Sequence, residues 1–270
     1  MSDLGPLRPP KPVPPAEPEQ HEITRLCVLT GLVLMQHGAE SALIETLIRR
    51  LGLSLGVERV EAGVFANSIV ITTICGARSS TEVRRCDDRG TNMHAVTEVQ
   101  RAVLDVEAGT LDAAAFRARV SGIVSFHYPR WLLALAIGVS CAAFARLAGA
   151  DLPSCGVVVV ASAAAMYLRL RVARLHFSPV VNFFVSAFAA SSIAFLGDLL
   201  DIGAMPRIAR ASCVLFLVPG FPLINGVSDM VKGYWSTGLA RLAYATLLAA
   251  AAAVGIVLSI ALFSRWGVHL

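Results

Sequence analysis

Beyond Tyr128 the chain is a succession of long apolar runs, and such runs leave few folds open. A bilayer core of about 30 Å is crossed by roughly 20 apolar residues in a helix, with about 17–25 the usual range. Lipid offers no partner to backbone N–H and C=O groups, so a spanning run satisfies them internally as a helix. Residues 131–147, 179–199 and 239–263 fit that description, and 153–168 is a little short but free of charge. A further span is expected over 208–231, but it is interrupted. Its apolar stretch gives way to Val218-Pro219-Gly220-Phe221-Pro222-Leu223-Ile224-Asn225-Gly226. At about 1.5 Å per residue, 208–218 alone reaches only about 16 Å, so this crossing is expected to be a helix broken at Pro219 and Pro222. Small residues are dense in every run, and small side chains let helices approach closely in lipid. The expected fold is an α-helical membrane bundle of five transmembrane helices over residues 128–270, preceded by a small soluble α+β domain.

The first half reads as ordinary soluble sequence. Overall, 56% of residues are hydrophobic and 16% charged, against about 45–50% and about 25% in soluble domains; the excess lies almost wholly after residue 128. Residues 1–21 are proline-rich and lack the apolar core of a signal peptide, which predicts a disordered tail. With no signal ahead of it, the domain over 22–127 is expected in the cytoplasm, and the protein in the inner membrane. Apolar residues recur at helical spacing through Ile23, Leu26, Leu34, Ile44, Leu47 and Leu51, interrupted at His37-Gly38. The stretch 57–75 is rich in β-branched residues and predicts a strand, with 81–85 returning as a second strand after a turn over 76–80. Helices are expected over 93–107 and 113–120, the latter capped by Asp112.

Charge and cysteine narrow the function. A net charge of +4 is too mild for a nucleic-acid partner, and the arginines between apolar runs follow the positive-inside rule. Arg130, Arg169, Arg171, Arg174, Lys232 and Arg241 are assigned to the cytoplasmic side, and Asp151, Asp198 and Asp201 to the outside. Arg146, Arg207, Arg210 and Arg265 then fall on the outer side, against the rule. The six cysteines are scattered without CxxC or Cys/His spacing, so neither a metal nor a cofactor is expected.

The proline–glycine segment is the strongest candidate site. Pro219 and Pro222 remove backbone donors, and in lipid the freed carbonyls need protein or a water-lined cavity. Transporters present such groups to substrate at broken helices. Gly220, Asn225, Asp229 and Lys232 join them as residues of a substrate path or gate, with Asn182 and Ser191 inside the third span. The bland alternative is that the prolines end a helix at the interface, Asp229 and Lys232 form an exposed i,i+3 pair, and Asn182 and Ser191 make interhelical hydrogen bonds. In the soluble half, His37, Glu40 and Ser41 are candidates for acid–base or nucleophilic chemistry, but no HExxH, GxSxG or P-loop accompanies them, and capping at a turn explains them better. Asn92 and Glu98 read as a polar helix start. No catalytic residue is assigned.

Four stretches occur in order: His37-Gly38-Ala39-Glu40-Ser41, 67–73, Asn92-Met93 with Thr97-Glu98-Val99-Gln100-Arg101, and the segment from Val218 to Asn225. Together they resemble the threonine/serine exporter family, in particular its YjjP-like inner-membrane members. The resemblance implies export of a small polar or anionic metabolite, either a hydroxy amino acid or a dicarboxylate such as succinate. It also implies a YjjB-like small membrane subunit as partner, supplying helices that longer members carry in one chain. The family's soluble domain has been suspected of hydrolase-like activity, so a membrane-anchored enzyme is the competing reading and a sensor the third. A transporter subunit is preferred, because an anchor needs neither a broken helix nor small-residue faces on every span.

Five spans place the carboxyl end outside. Reporter fusions after Gly122, Leu152, Leu175, Ile202, Lys232 and Leu270 should alternate from inside to outside in that order. Leu270 on the same side as Gly122 would rule out an odd count.

Overall fold

The computed structural model describes residues 16–86, 90–123, 128–175 and 177–264. The disordered reading of 1–15 and the outer-side assignment of Arg265 lie outside these residues. Helix α1 (Glu17–Gln36) starts before the boundary at residue 22 that proline content suggests. Pro18 sits in its first turn, where a missing N–H costs no intrahelical bond, and Glu19 accepts the Ala16 N–H at 3.0 Å. Gln20 is only 2% exposed. Its Nε2 donates to the carbonyls of Thr73 at 3.0 Å and Arg78 at 3.4 Å, and Thr24 and Thr73 share a hydroxyl bond of 2.7 Å. Those bonds fix the first turn of α1 to the sheet.

The sheet has three antiparallel strands in the order β1 (Arg59–Val64), β2 (Ser68–Cys75) and β3 (Arg78–Arg85). The stretch expected as one strand is thus a hairpin, turned at Ala66-Asn67 with the Phe65 N–H donating to Ser68 O at 3.0 Å. The following turn is shorter than expected. Cys75 pairs with Arg78, leaving only Gly76-Ala77 between strands, a two-residue loop led by glycine. Strand β2 alternates strictly, so Ile69, Ile71, Thr73 and Cys75 face inward. They meet Leu26, Cys27 and Leu34 of α1, and Ile44, Leu47, Ile48 and Leu51 of α2 (Ser41–Ser54) in one core. Helix α3 (Met93–Glu107) adds Val99 and Val103, and α4 (Ala113–Ser121) adds Phe116. Asp112 caps α4 by accepting the Ala115 N–H at 2.7 Å, as its position predicts.

The second compact unit holds the described residues from 128 to 223 and from 242 to 264, whereas 224–241 fold with the amino-terminal unit. Its helices are α5 (Arg130–Leu147), α6 (Leu152–Arg174), α7 (Pro179–Leu199), α8 (Pro206–Ser212), a 3₁₀ turn (Leu215–Leu217), and the parts of α9 (Gly220–Val231) and α10 (Trp235–Ser264) that fall within it. Among the described residues, four helices are long and apolar enough to cross a membrane, or five if the pair α8–α9, bent by 61°, is counted as one span. The interior is built from small residues: Cys141, Ala145, Ala161, Ala165, Ala190 and Ala194 share one cluster. At Gly138 an added Cβ would lie 2.7 Å from the Val159 carbonyl, so only glycine permits this approach of α5 to α6.

Two features of this unit differ from expectation. Helix α6 continues to Arg174, so Arg169, Arg171 and Arg174 are helical rather than in a loop. No proline or glycine interrupts 168–174, and apolar rings receive two of the cations: Arg169 lies 4.5 Å over Phe183 and Arg171 lies 5.1 Å over Tyr167. The break in the α8–α9 pair lies at Val218-Pro219 alone. Val218 is extended at φ −64°, ψ 121°, as a residue before proline prefers, while Pro222 sits inside the first turn of α9, where helices tolerate it.

Gln20→Ala should lower the stability of the amino-terminal unit by about 1–3 kcal/mol, the cost of unreplaced buried hydrogen bonds. Glu17→Ala, at an exposed position, should stay within about 0.5 kcal/mol. Denaturant unfolding of the two variants compares them, and equal effects would disprove an anchored first turn.

Candidate functional site

Helix α1 ends in a turn that reverses the chain into α2. The Ala39 N–H donates to Leu34 O at 3.0 Å and the Gly38 N–H to Met35 O at 3.1 Å, closing the helix through a left-handed residue. Gly38 has φ +80°, and a Cβ there would also press on Thr91 Oγ1 at 3.3 Å. Glu40 then takes the extended N-cap conformation of α2, but its side chain makes no capping bond.

The cap comes from far along the chain. Asp229 accepts the Ser41 N–H at 3.0 Å on Oδ1 and the Ser41 hydroxyl at 2.9 Å on Oδ2. Its carboxylate is fully buried, and Arg241 Nη1 lies 2.9 Å from Oδ2. That contact is an ion pair without hydrogen-bond alignment, and the other arm of the guanidinium donates to Ala39 O at 2.9 Å. Asn225 Nδ2 donates to Gly38 O at 2.8 Å, and Lys232 pairs with Glu40. Thr237 donates its hydroxyl to Val64 O at 2.8 Å, and Tyr234 donates to Glu45. Burial, reinforced by the Glu45 carboxylate, pushes the Tyr234 phenol up to about 12, so it remains a donor throughout the neutral range. A buried carboxylate is costly unless paired and hydrogen-bonded. Here a guanidinium, a hydroxyl and the N-terminal dipole of α2 all favour its charge.

The structure thus brings together two sets of residues that sequence reading kept apart. Ser41, Glu40 and the His37 turn meet Asn225, Asp229 and Lys232. The exposed Asp229–Lys232 pair is overturned, because Asp229 points into the core toward Arg241 and Lys232 reaches Glu40. His37 is buried, with Nδ1 2.7 Å from Val33 O, which places the proton on Nδ1. His37, Glu40 and Ser41 therefore hold separate partners. Asn92 caps α3, accepting from the His94 N–H at 3.1 Å and the Ala95 N–H at 3.3 Å. Glu98 pairs with Arg101 at 2.7 Å and Arg119 at 3.6 Å.

In the second unit, Asn182 bridges helices, donating to Arg169 O at 3.2 Å and accepting from Ser186 at 3.3 Å. Ser191, buried on α7, lines a cavity of about 510 Å³ with Phe195, Arg207, Arg210 and Ile260. Val218 and Pro219 form the break between the 3₁₀ turn and α9, whose first residue, Gly220, donates its N–H to Val218 O at 2.8 Å. Among the described residues no group of three or more His, Cys, Asp or Glu side chains converges on a metal position. Sequence reading missed Arg241 and Tyr234 as site residues. For Arg241 the available signal was a cation beside an apolar run, which is rare without a partner or a task.

Removing one partner of a buried ion pair leaves the other charge uncompensated and typically costs about 3–5 kcal/mol. Asp229→Asn and Arg241→Gln should each destabilise the full chain on that scale, and the double variant should lose less than their sum. Thermal unfolding in mild detergent measures the cycle. Strict additivity would mean that the pair contributes no coupling.

A family profile described as "Putative threonine/serine exporter" matches residues 25–263. The chain is 46% identical to the "Probable succinate transporter subunit YjjP" of Escherichia coli, over 93% of this chain and 97% of that protein. The protein of the same name from Klebsiella aerogenes is also 46% identical, over 93% of this chain and 96% of its own. The "Probable threonine/serine exporter" of Mycobacterium tuberculosis is 26% identical over 74% of this chain but only 39% of its own length. No solved structure matches the chain. With a family match that runs from the first core helix to the end of the last span, this chain belongs to the threonine/serine exporter family.

Proposed function

We propose that this chain is one subunit of a two-component inner-membrane exporter of small carboxylate metabolites, either succinate-like dicarboxylates or threonine and serine. It crosses the membrane five times, with α8 and the start of α9 forming one broken span that passes at Ile224 into the amino-terminal unit, which lies in the cytoplasm. The observation that carries this reading is the break at Val218-Pro219 within an otherwise apolar helix pair. Irregular backbone at membrane depth is tolerated where protein or a water-filled path covers it, and transporters use it that way. A simple anchor has no need of it.

The partner in this reading is a YjjB-like small membrane protein. Support comes from coverage: the chain accounts for nearly all of the Escherichia coli subunit but only 39% of the longer Mycobacterium tuberculosis exporter, so the longer chain has room for both components. The apolar windows of α5 and α10 are only 28% and 22% buried, leaving faces that neighbouring helices fill well. The chain acts as a transporter and not as an enzyme. Ser41 donates its proton-bearing hydroxyl to a buried, arginine-paired carboxylate, which makes it a structural cap and a poor nucleophile.

Cells producing this chain with its YjjB-like partner should release succinate, threonine or serine, and either protein alone should not support release. Replacing both Pro219 and Pro222 by alanine should leave membrane levels normal while release is lost, because the change favours a continuous helix. Efflux from vesicles holding only this chain would sink the two-component reading, and unimpaired release by the double variant would reduce the break to a helix terminator.

A further inference from the structure

The helices of residues 224–241 reverse the pattern of a soluble surface helix, which turns its apolar side inward and its charges to water. The charged residues of this segment are Asp229, Lys232 and Arg241. All three are paired within the amino-terminal unit, Asp229 with Arg241 and Lys232 with Glu40. The side chains left outside are apolar. Ile224, Val227 and Val231 on α9, and Trp235 and Leu239 on α10, are each more than half exposed. Their spacings, i, i+3 and i+7 on α9 and i, i+4 on α10, put each set on one side of its helix. The two helices form a tight hairpin, since an added Cβ at Gly238 would lie 2.7 Å from the Gly226 carbonyl. In the rest of the amino-terminal unit, among the described residues, Val83 is the one large apolar side chain exposed to that degree. The face is therefore a local feature, and exposed apolar patches of this kind mark interaction surfaces.

We infer that this face is seated in the cytoplasmic leaflet of the bilayer, at the boundary between headgroups and acyl chains, and holds the amino-terminal unit on the membrane surface. Continuity of the chain identifies the occupant. The apolar pair α8–α9 leads into residue 224, and the apolar run of α10 continues beyond residue 241, so the face lies on the stretch between two proposed crossings. Helix α9 rises only about 10 Å from Ile224 to Val231, which keeps the face beside lipid. Trp235 is a residue type that concentrates at membrane–water boundaries, and helices lying in that boundary bury an apolar face about 5–10 Å deep. With its charges turned into the protein and its apolar side in lipid, the hairpin leaves neither in an unsuitable medium. The inference goes beyond transport. It rests on the two flanking crossings and not on what is exported.

The full chain carrying Trp131→Phe and Trp266→Phe keeps Trp235 as its single tryptophan. In phosphatidylcholine nanodiscs its emission should be shifted to the blue. Acyl chains brominated near the headgroup should quench it more strongly than chains brominated near the bilayer centre, and aqueous iodide should quench it weakly. The same result is expected when the partner subunit proposed above, freed of its own tryptophans, is present. Red-shifted emission quenched by iodide would put the face in water, and shielding from both quenchers would show protein covering it. Loss of lipid quenching on adding the partner would give the face to that subunit. Each of these outcomes overturns the inference, as does stronger quenching from the bilayer centre. Should the tryptophan variant not fold, Val231→Cys and Ser54→Cys compare two exposed positions of the same unit. In inside-out membrane vesicles a charged maleimide should modify Ser54→Cys, whereas Val231→Cys should lose most of that reactivity; equal rates would overturn the seating. The reporter fusions after Ile202 and Lys232 decide the flanking crossing separately, so a wrong leaflet and a wrong face are told apart.

Discussion

A carboxylate removed from water organises the amino-terminal unit. Asp229 is fully buried, and at that depth a lone negative charge is prohibitively costly. Two separate parts of the chain meet its needs: the N-terminus of α2, through both the amide and the hydroxyl of Ser41, and the Arg241 guanidinium. Each of these in turn constrains something else. Because Asp229 caps α2, Glu40 is free of that duty and pairs with Lys232. Because Arg241 also holds Ala39 O and Asn225 holds Gly38 O, the backbone of the α1–α2 turn is satisfied by side chains from 224–241. That is why this segment folds with the amino-terminal unit although it lies between two apolar helices in sequence.

The bundle obeys a different constraint. Lipid tails are as apolar as leucine, so burial of apolar surface drives little helix association, and close packing takes its place. The alanine-rich cluster and the glycine contact at Gly138 follow from that. Polar groups inside the unit are settled locally: Ser162 donates to Cys213 O at 3.0 Å, and Ser192 and Ser259 share a hydroxyl bond of 3.0 Å. Against this background of satisfied groups, the incompletely bonded guanidinium of Arg210 stands apart.

Much of this was legible in the sequence, for identifiable reasons. Apolar run length located α5, α7 and α10, helical patterning located α3 and α4, and the cap Asp112 marked the start of α4, because these signals are local. The start of α1 was not legible, since the value of Gln20 depends on carbonyls of β2 and β3 more than fifty residues away. The end of α6 was missed because arginines in an apolar run read as a loop, whereas two of them are held against aromatic rings. The hairpin at Ala66-Asn67 carries neither glycine nor proline, and its one turn residue, Asn67, lies inside a β-branched stretch that reads as one strand. For the candidate sites, the motif residues on either side of Ser41 and Asp229 were visible, but their meeting was not. No periodicity connects positions 188 residues apart.

Among the described residues, two aspartate–arginine pairs are largely removed from water, and they are held in different ways. At Asp229 the arginine stands at 2.9 Å, and its other arm, the carboxylate and the neighbouring amide are all engaged. Every acceptor has a donor, and exchanging any member for a mobile ligand would leave a charge stranded. At Asp198 the arginine stands at 3.4 Å, and its Nη1, like that of Arg241, is buried without a hydrogen bond among the described residues. Arg210 is held by the face of Phe195 at 4.7 Å, and an aromatic face attracts a cation without directing its donors. The pair at Asp229 is fixed by directed hydrogen bonds and suits a joint between distant parts of the chain, whereas the pair at Arg210 is held by charge and ring contact.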